Sequence, residues 1–207
     1  MTNDQQTPSF RLEPFLWIHL AGLAVFPLLL QATWMGLAVG EPWLPFWLEF
    51  FGVAIAGIGP ILWMQWKRPF DIFSLLFVAI RPQQLTPEQR QILRLFKTTK
   101  HRILTIVAAV VMLWVLWQLY LATPIAVPAA ARLPQSRWLG LGLAAVAFLG
   151  SNLFLQVPIS VLGVLLTSRK QYEASEPLET EDIGREFAVL GFRVKQILPP
   201  VNRAEIK

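Results

Sequence analysis

Residues Lys67 to Arg102 read KRPFDIFSLLFVAIRPQQLTPEQRQILRLFKTTKHR, and this stretch decides how the chain is arranged. It holds eight of the eighteen basic residues and separates two long apolar runs. Lys and Arg concentrated between apolar runs mark a loop kept on the cytoplasmic side of a membrane. Within it, Phe70 to Ile80 is an apolar run between two basic-proline brackets, Lys67-Arg68-Pro69 and Arg81-Pro82. That run is too short to span and predicts an interfacial or re-entrant helix over 70–80. Thr86, Pro87 and Gln89 then supply the N-cap, N1 proline and capping-box partner of another helix. No glycine or proline follows Pro87 until Pro124, so one helix of about 36 residues, roughly 54 Å, is expected to run through a basic stem over 86–102 into the next apolar run. At 100° per residue Arg90, Arg94, Lys97 and His101 share one face of that stem, and Leu85, Ile92, Leu93 and Phe96 gather on the other.

Working outward, apolar residues make up 55% of the 207 and charged residues 15%, with a mean hydropathy of +0.50. This is the composition of a chain that lives in lipid. Four apolar runs are long enough to cross: 15–39, 46–66, 103–122 and 138–166. The reading is an all-α integral membrane four-helix bundle over 15–166, preceded by a head over 1–14 and followed by an extended cytoplasmic tail over 167–207. Head, loop and tail are each too small to hold a sizeable independent core. Residues Met1 to Ser9 are polar, with no basic cluster ahead of an apolar core and no small-residue cleavage site, so a removable signal peptide is not expected and the first span should stay. Assigning Lys and Arg to the four crossings places sixteen of the eighteen on one side. Both termini and the central loop are therefore expected in the cytoplasm. Trp17, Trp63 and Trp66 fall toward that face, and Trp34, Trp43, Trp47, Trp117, Tyr120 and Trp138 toward the other, as interfacial aromatics should.

The spans carry local signals of packing. Pro27 should kink the first, and Gly36 and Gly40 form a small-xxx-small pair near its far end, an expected helix-packing site. Gly52, Gly57, Gly59 and Pro60 make the second span either closely packed or bent. Glu49 lies about one turn inside it, where a hydrogen bond to a neighbour or snorkelling is a simpler role than an ion site, because no second intramembrane acid accompanies it. In the fourth span Asn152 and Gln156 are four residues apart on one face at mid-membrane depth, beside Ser151 and Pro158. Such amides join helices; lining a polar pathway is the sharper alternative.

There are no cysteines, which excludes disulfides and thiolate sites. No HExxH, GxSxG, phosphate-binding or dinucleotide-binding pattern occurs, so an enzyme is not expected, nor a metal site. The net charge of +5 is explained by charge asymmetry across a bilayer before nucleic acid, and no nucleic-acid partner is expected. His19, about one turn inside the first span, is the candidate cofactor ligand: a neutral imidazole there could bind haem iron or the magnesium of a chlorophyll. Its simpler role is an interfacial hydrogen bond. His101 belongs to the stem and is expected at the headgroups. No cofactor is required by the sequence; chlorophyll or carotenoid are the candidates.

Arg90, Arg94 and Lys97 are candidate contacts for anionic lipid or for an acidic patch on a partner protein. Beyond Ser168, Glu173, Glu176, Glu179, Glu181 and Asp182 form an acidic stretch expected to be an extended linker over 173–182. It leads to Phe192 and Val194 alternating with Arg193 and Lys195, a period-two segment with one apolar face. This segment either folds back onto its own surface or docks on another protein.

Glu13-Pro-Phe-Leu-Trp-Ile-His-Leu-Ala-Gly22, Trp63-Met-Gln, Arg68-Pro-Phe70, Leu93 to Lys97 and Ser151-Asn-Leu-Phe-Leu-Gln-Val-Pro158 carry a resemblance to the cyanobacterial low-complexity tail membrane proteins. The likeness covers about Glu13 to Thr167, with Gly191 to Pro200 an addition. The tail here is not low in complexity, which departs from the family's name. The resemblance implies a cyanobacterial membrane, the thylakoid, and an accessory association with photosynthetic complexes; it brings no catalytic residues. The expected function is a non-catalytic accessory or assembly factor in contact with membrane lipid and docked on a larger membrane complex such as photosystem II. The alternative is a small transporter or carrier of lipid or pigment.

Overall fold

The computed structural model describes residues 9–75, 77–189 and 191–198. Expectations about residues 1–8 and 199–207, including the far ends of the head and tail, lie outside the described residues. The chain is mostly helical, and among the described residues four helical stretches are long and apolar enough to cross a membrane. The first crosses over Pro14–Leu37 and is assembled from α1 (Pro14–Ala21), a 3-10 turn at Gly22–Val25 and α2 (Phe26–Leu37). The tighter turn lies where Pro27 removes the N–H that would have bonded Leu23. The others are α3 (Phe46–Lys67), α5 (Thr99–Leu121) and α7 (Arg137–Leu165). Between the last two, α6 (Thr123–Ala130) replaces an expected loop with a short helix whose buried Ala126 and Ala130 pack under Ala38 and Val39.

Glycine decides the closest approach in the bundle. A Cβ on Gly36 would lie 2.6 Å from Ala144 N and 2.7 Å from Gly140 O, so α2 and α7 touch backbone to backbone there. Phe148, fully buried, sits against Gly57 of α3. Nothing lies within 4 Å of a Cβ built on Gly52 or Gly59, so only Gly57 of the three makes room for a neighbour. The expected Gly36/Gly40 pair is corrected in one half. Gly40 lies beyond the end of α2 at φ +68°, a left-handed residue that turns the chain rather than packing a helix face.

The larger corrections fall at the basic end. Residues 70–80 do not form an interfacial helix; they form a hairpin of β1 (Ser74–Leu75) and β2 (Val78–Ile80), with Ser74 opposite Ala79. The run is rich in aromatic and β-branched residues, and its apolar side chains are buried on more than one side, with Ile72, Phe73 and Ala79 at 0% exposure. Asp71 starts the turn by accepting the Phe73 N–H at 2.9 Å, a local bond that competes with helix. The stem is also not continuous with the third span. The capping box at Thr86 and Gln89 is present and opens α4 (Pro87–Leu95), but the helix stops there, and α5 restarts from an extended Thr98 with ψ 155°. The break allows Phe96, 2% exposed, to turn into the core.

The acidic linker is corrected as well. It is partly helical: α8 (Arg169–Glu173) ends in it, and α9 (Thr180–Glu186) begins in it. The chain then forms β3 (Phe192–Val194), which pairs parallel with β2, Val78 opposite Phe192 and Ile80 opposite Val194. Arg68 holds this return by donating to Gly184 O at 3.0 Å and Phe187 O at 3.1 Å. One apolar core therefore joins Phe10 and Leu16 of the head and first span, Phe73 of the hairpin, Ile92 and Leu93 of the stem, and Ile183 and Phe187 of the tail. Each segment alone is too small for a core; pooled on the ends of the spans, they make one.

Candidate functional site

At the end away from the basic segments, all four spans meet at Glu49 and Arg137. Arg137 Nε donates to Glu49 Oε1 at 3.0 Å, and its Nη2 donates to Oε2 in a short contact. Its Nη1 donates to Leu37 O at 2.7 Å and Val39 O at 3.0 Å, closing carbonyls at the end of α2. Tyr120, from the last turn of α5, donates to Glu49 Oε2 at 2.8 Å. Both charges are buried, at 2% for Glu49 and 7% for Arg137. A carboxylate taken out of water needs a paired, well-bonded cation, and the bidentate fork supplies it. Because the donors and acceptors are used by one another, this cluster offers a clasp and no free proton-transfer group.

The amides of α7 are buried at 0% for Asn152 and 1% for Gln156. Asn152 donates to Phe148 O at 2.9 Å, and Gln156 Nε2 reaches Asn152 Oδ1 at 3.5 Å. The two thus share a face as their spacing required, and their bonds run along their own helix. Gln156 Oε1 and, on α3, Gln65 Nε2 are buried without a partner.

His19 is half-buried, with Nδ1 2.8 Å from Phe15 O and its ring edge-on to Phe70 at 5.7 Å. Donation from Nδ1 to the carbonyl one turn earlier directs the ring against the hairpin strap. No group of three or more His, Asp or Glu side chains able to hold a metal occurs among the described residues.

At the basic end, the structure separates residues that the sequence grouped. Arg90 donates to Leu178 O at 3.2 Å, and Gln91 donates to Tyr172 O and Ser175 O, both at 2.7 Å. Lys97 pairs with Glu186 at 2.6 Å. Of the three cations only Arg94 is exposed; the other two are half-buried. The tail thus occupies much of the stem's polar side. Of the tail residues, Phe192 is 80% exposed while Val194 is half-buried, so the expected apolar face is divided. Arg193 and Lys195 are exposed; the Arg193 guanidinium lies near Gly184, and its charge acts on Asp71. Asp71 is 1% exposed, and burial lifts its carboxyl to about 6.

Sequence reasoning missed Arg137 and Tyr120 as partners of Glu49. The available signal was that Glu49, Tyr120 and Arg137 all fall near the same membrane face once the spans are drawn antiparallel.

No curated protein and no solved structure matches the chain. The low-complexity tail membrane protein-like family matches residues 12–199, nearly the whole length. The chain therefore belongs to the low-complexity tail membrane protein-like family.

Proposed function

We propose that this protein is a non-catalytic accessory or assembly factor of a larger membrane complex, with its basic end and both termini in the cytoplasm. The observation that carries the reading is the exposed side of the basic-end cap. There the tail adds an edge strand to the hairpin and leaves Phe77, Val78 and Phe192 exposed at 68%, 37% and 80%, with Arg193 and Lys195 beside them. An edge strand with exposed aromatics and cations is a shaped protein-binding surface. The charge distribution favours this sidedness: of the two basic residues on the opposite side, Arg137 is neutralised in the clasp, leaving Arg132. A cyanobacterial thylakoid and photosystem II are the membrane and complex that the family likeness suggests.

Transport or carriage of lipid or pigment has less support, because Asn152 and Gln156, on which a polar pathway would rest, are buried within helix packing. Mild-detergent native gels with mass spectrometry test the docking reading. Co-migration with a large complex is expected, and its loss in a Phe192→Asp variant. A protein that migrates alone would overturn it.

A further inference from the structure

The break between α4 and α5 leaves a cavity of about 390 Å³ against the end of α7. A second hollow, of about 640 Å³, shares the walls Leu95, Thr98 and Gln171 with it. The two differ in chemistry. The first is lined by Ile103, Leu104, Val164 and Leu166, and of these Ile103 and Leu166 are 55% and 81% exposed on the flank of the spans, where acyl chains lie. The second carries Arg94 and Lys97, with Glu176 on its wall.

Lys100 and His101, in the first turn of α5, line the apolar cavity. His101 is 4% exposed, and its Nε2 has no hydrogen-bond partner. A buried polar atom on a cavity wall normally has a hydrogen-bond partner, and a bound headgroup oxygen would supply one. Thr98 does not cap the helix: its hydroxyl donates to Leu95 O at 3.1 Å, so the positive end of α5 is left without a side-chain acceptor. Around this point are Arg94, Lys97 and Lys100, set against Glu176 and Glu186, the latter already paired with Lys97. The balance is one positive charge plus the helix dipole.

We propose that this cleft binds one anionic phospholipid, with the phosphate between Arg94, Lys100 and the start of α5, and an acyl chain in the apolar cavity past Leu104 and Gly163. A free phosphate would satisfy the cations and leave the apolar cavity empty. A zwitterionic lipid would fill the cavity and leave the surplus cation without a counter-charge. The volume is in the range of ligand-binding cavities, and Lys100 and His101 on its wall stand in the first turn of the third span, the part of a crossing helix that headgroups would meet. This site is distinct from the sheet surface on which the docking reading rests.

The test is native mass spectrometry of the full chain from micelles with equal phosphatidylglycerol and phosphatidylcholine. Wild type is expected to retain phosphatidylglycerol about 10-fold over phosphatidylcholine, and an Arg94→Ala/Lys100→Ala variant to fall within about 2-fold. Gly163→Leu puts a side chain into the apolar cavity; its Cβ would meet only the tip of Leu104, at 3.0 Å, a contact that a flexible side chain can relieve. It should lose the bound lipid while its thermal unfolding in detergent stays within a few degrees of wild type. Equal retention of the two lipids, or retention unchanged by both variants, would overturn the proposal. Displacement of phosphatidylglycerol by excess inorganic phosphate would reassign the cleft to a free anion and overturn it as well.

Discussion

Arg137 and Glu49, 88 residues apart in the chain, form a buried two-point ion pair that ties the far ends of all four spans together. Removing one partner leaves the other charge buried and alone. Arg137→Leu or Glu49→Leu is expected to lower stability by about 3–5 kcal/mol, whereas the double replacement should recover much of the loss. Tyr120→Phe deletes one bond to the carboxylate and should lower stability by about 1–2 kcal/mol. Unfolding in mixed micelles measures the set, and additive single and double effects would show that the pair is not coupled.

The contact of α2 with α7 should be intolerant at one glycine and indifferent at two others. Gly36→Val forces a side chain against the backbone of Gly140 and Ala144 and is expected to lower stability by about 1–3 kcal/mol. Gly52→Ala and Gly59→Ala meet nothing and should be neutral or stabilising by up to about 1 kcal/mol. The same unfolding assay ranks the three.

Docking of the tail depends on Gly191, which has φ +118° and lies against Phe77, so that a Cβ would overlap the Phe77 carbonyl. Gly191→Ala should detach β3 without disturbing the spans. Limited proteolysis is expected to cut the variant between residues 188 and 195 at least about 10-fold faster than wild type, a rate that follows the population of the opened tail.

The basic-end cap should be less stable at neutral than at mildly acidic pH through Asp71. Burial raises its carboxyl from 3.8 to about 6, against the Phe73 N–H and the Arg193 charge, which lower it. Between those values the folded protein keeps a proton that the unfolded chain has lost, so stability falls as pH rises through the window. The contribution approaches about 3 kcal/mol above it. Asp71→Asn retains an acceptor for the Phe73 N–H and removes the charge. Hydrogen-exchange protection of residues 70–80 should drop from pH 5 to pH 7 in wild type and stay level in the variant.

Much of the membrane architecture was legible because crossing a bilayer is a local, additive property. Each span announces itself by length and hydropathy. The start of α4 was equally local, since Thr86 and Gln89 cap the helix from within four residues. The end of α4 was not. The choice to break at Phe96 came from the core that Phe96 fills. Of the site residues, the shared face of Asn152 and Gln156 followed from helical period, while the occupation of Arg90 and Lys97 by the tail did not follow from any spacing.

By itself, then, the sequence determined four apolar helices, a charge asymmetry and a capped amphipathic stem, because these follow from residues near one another in the chain. Only the tertiary structure decided that 70–80 is a hairpin, since its third strand arrives from residues 192–194, and that Glu49 answers Arg137. Strand partners and buried ion pairs are settled by which distant segments share a core. Hydropathy and helical period carry no record of that.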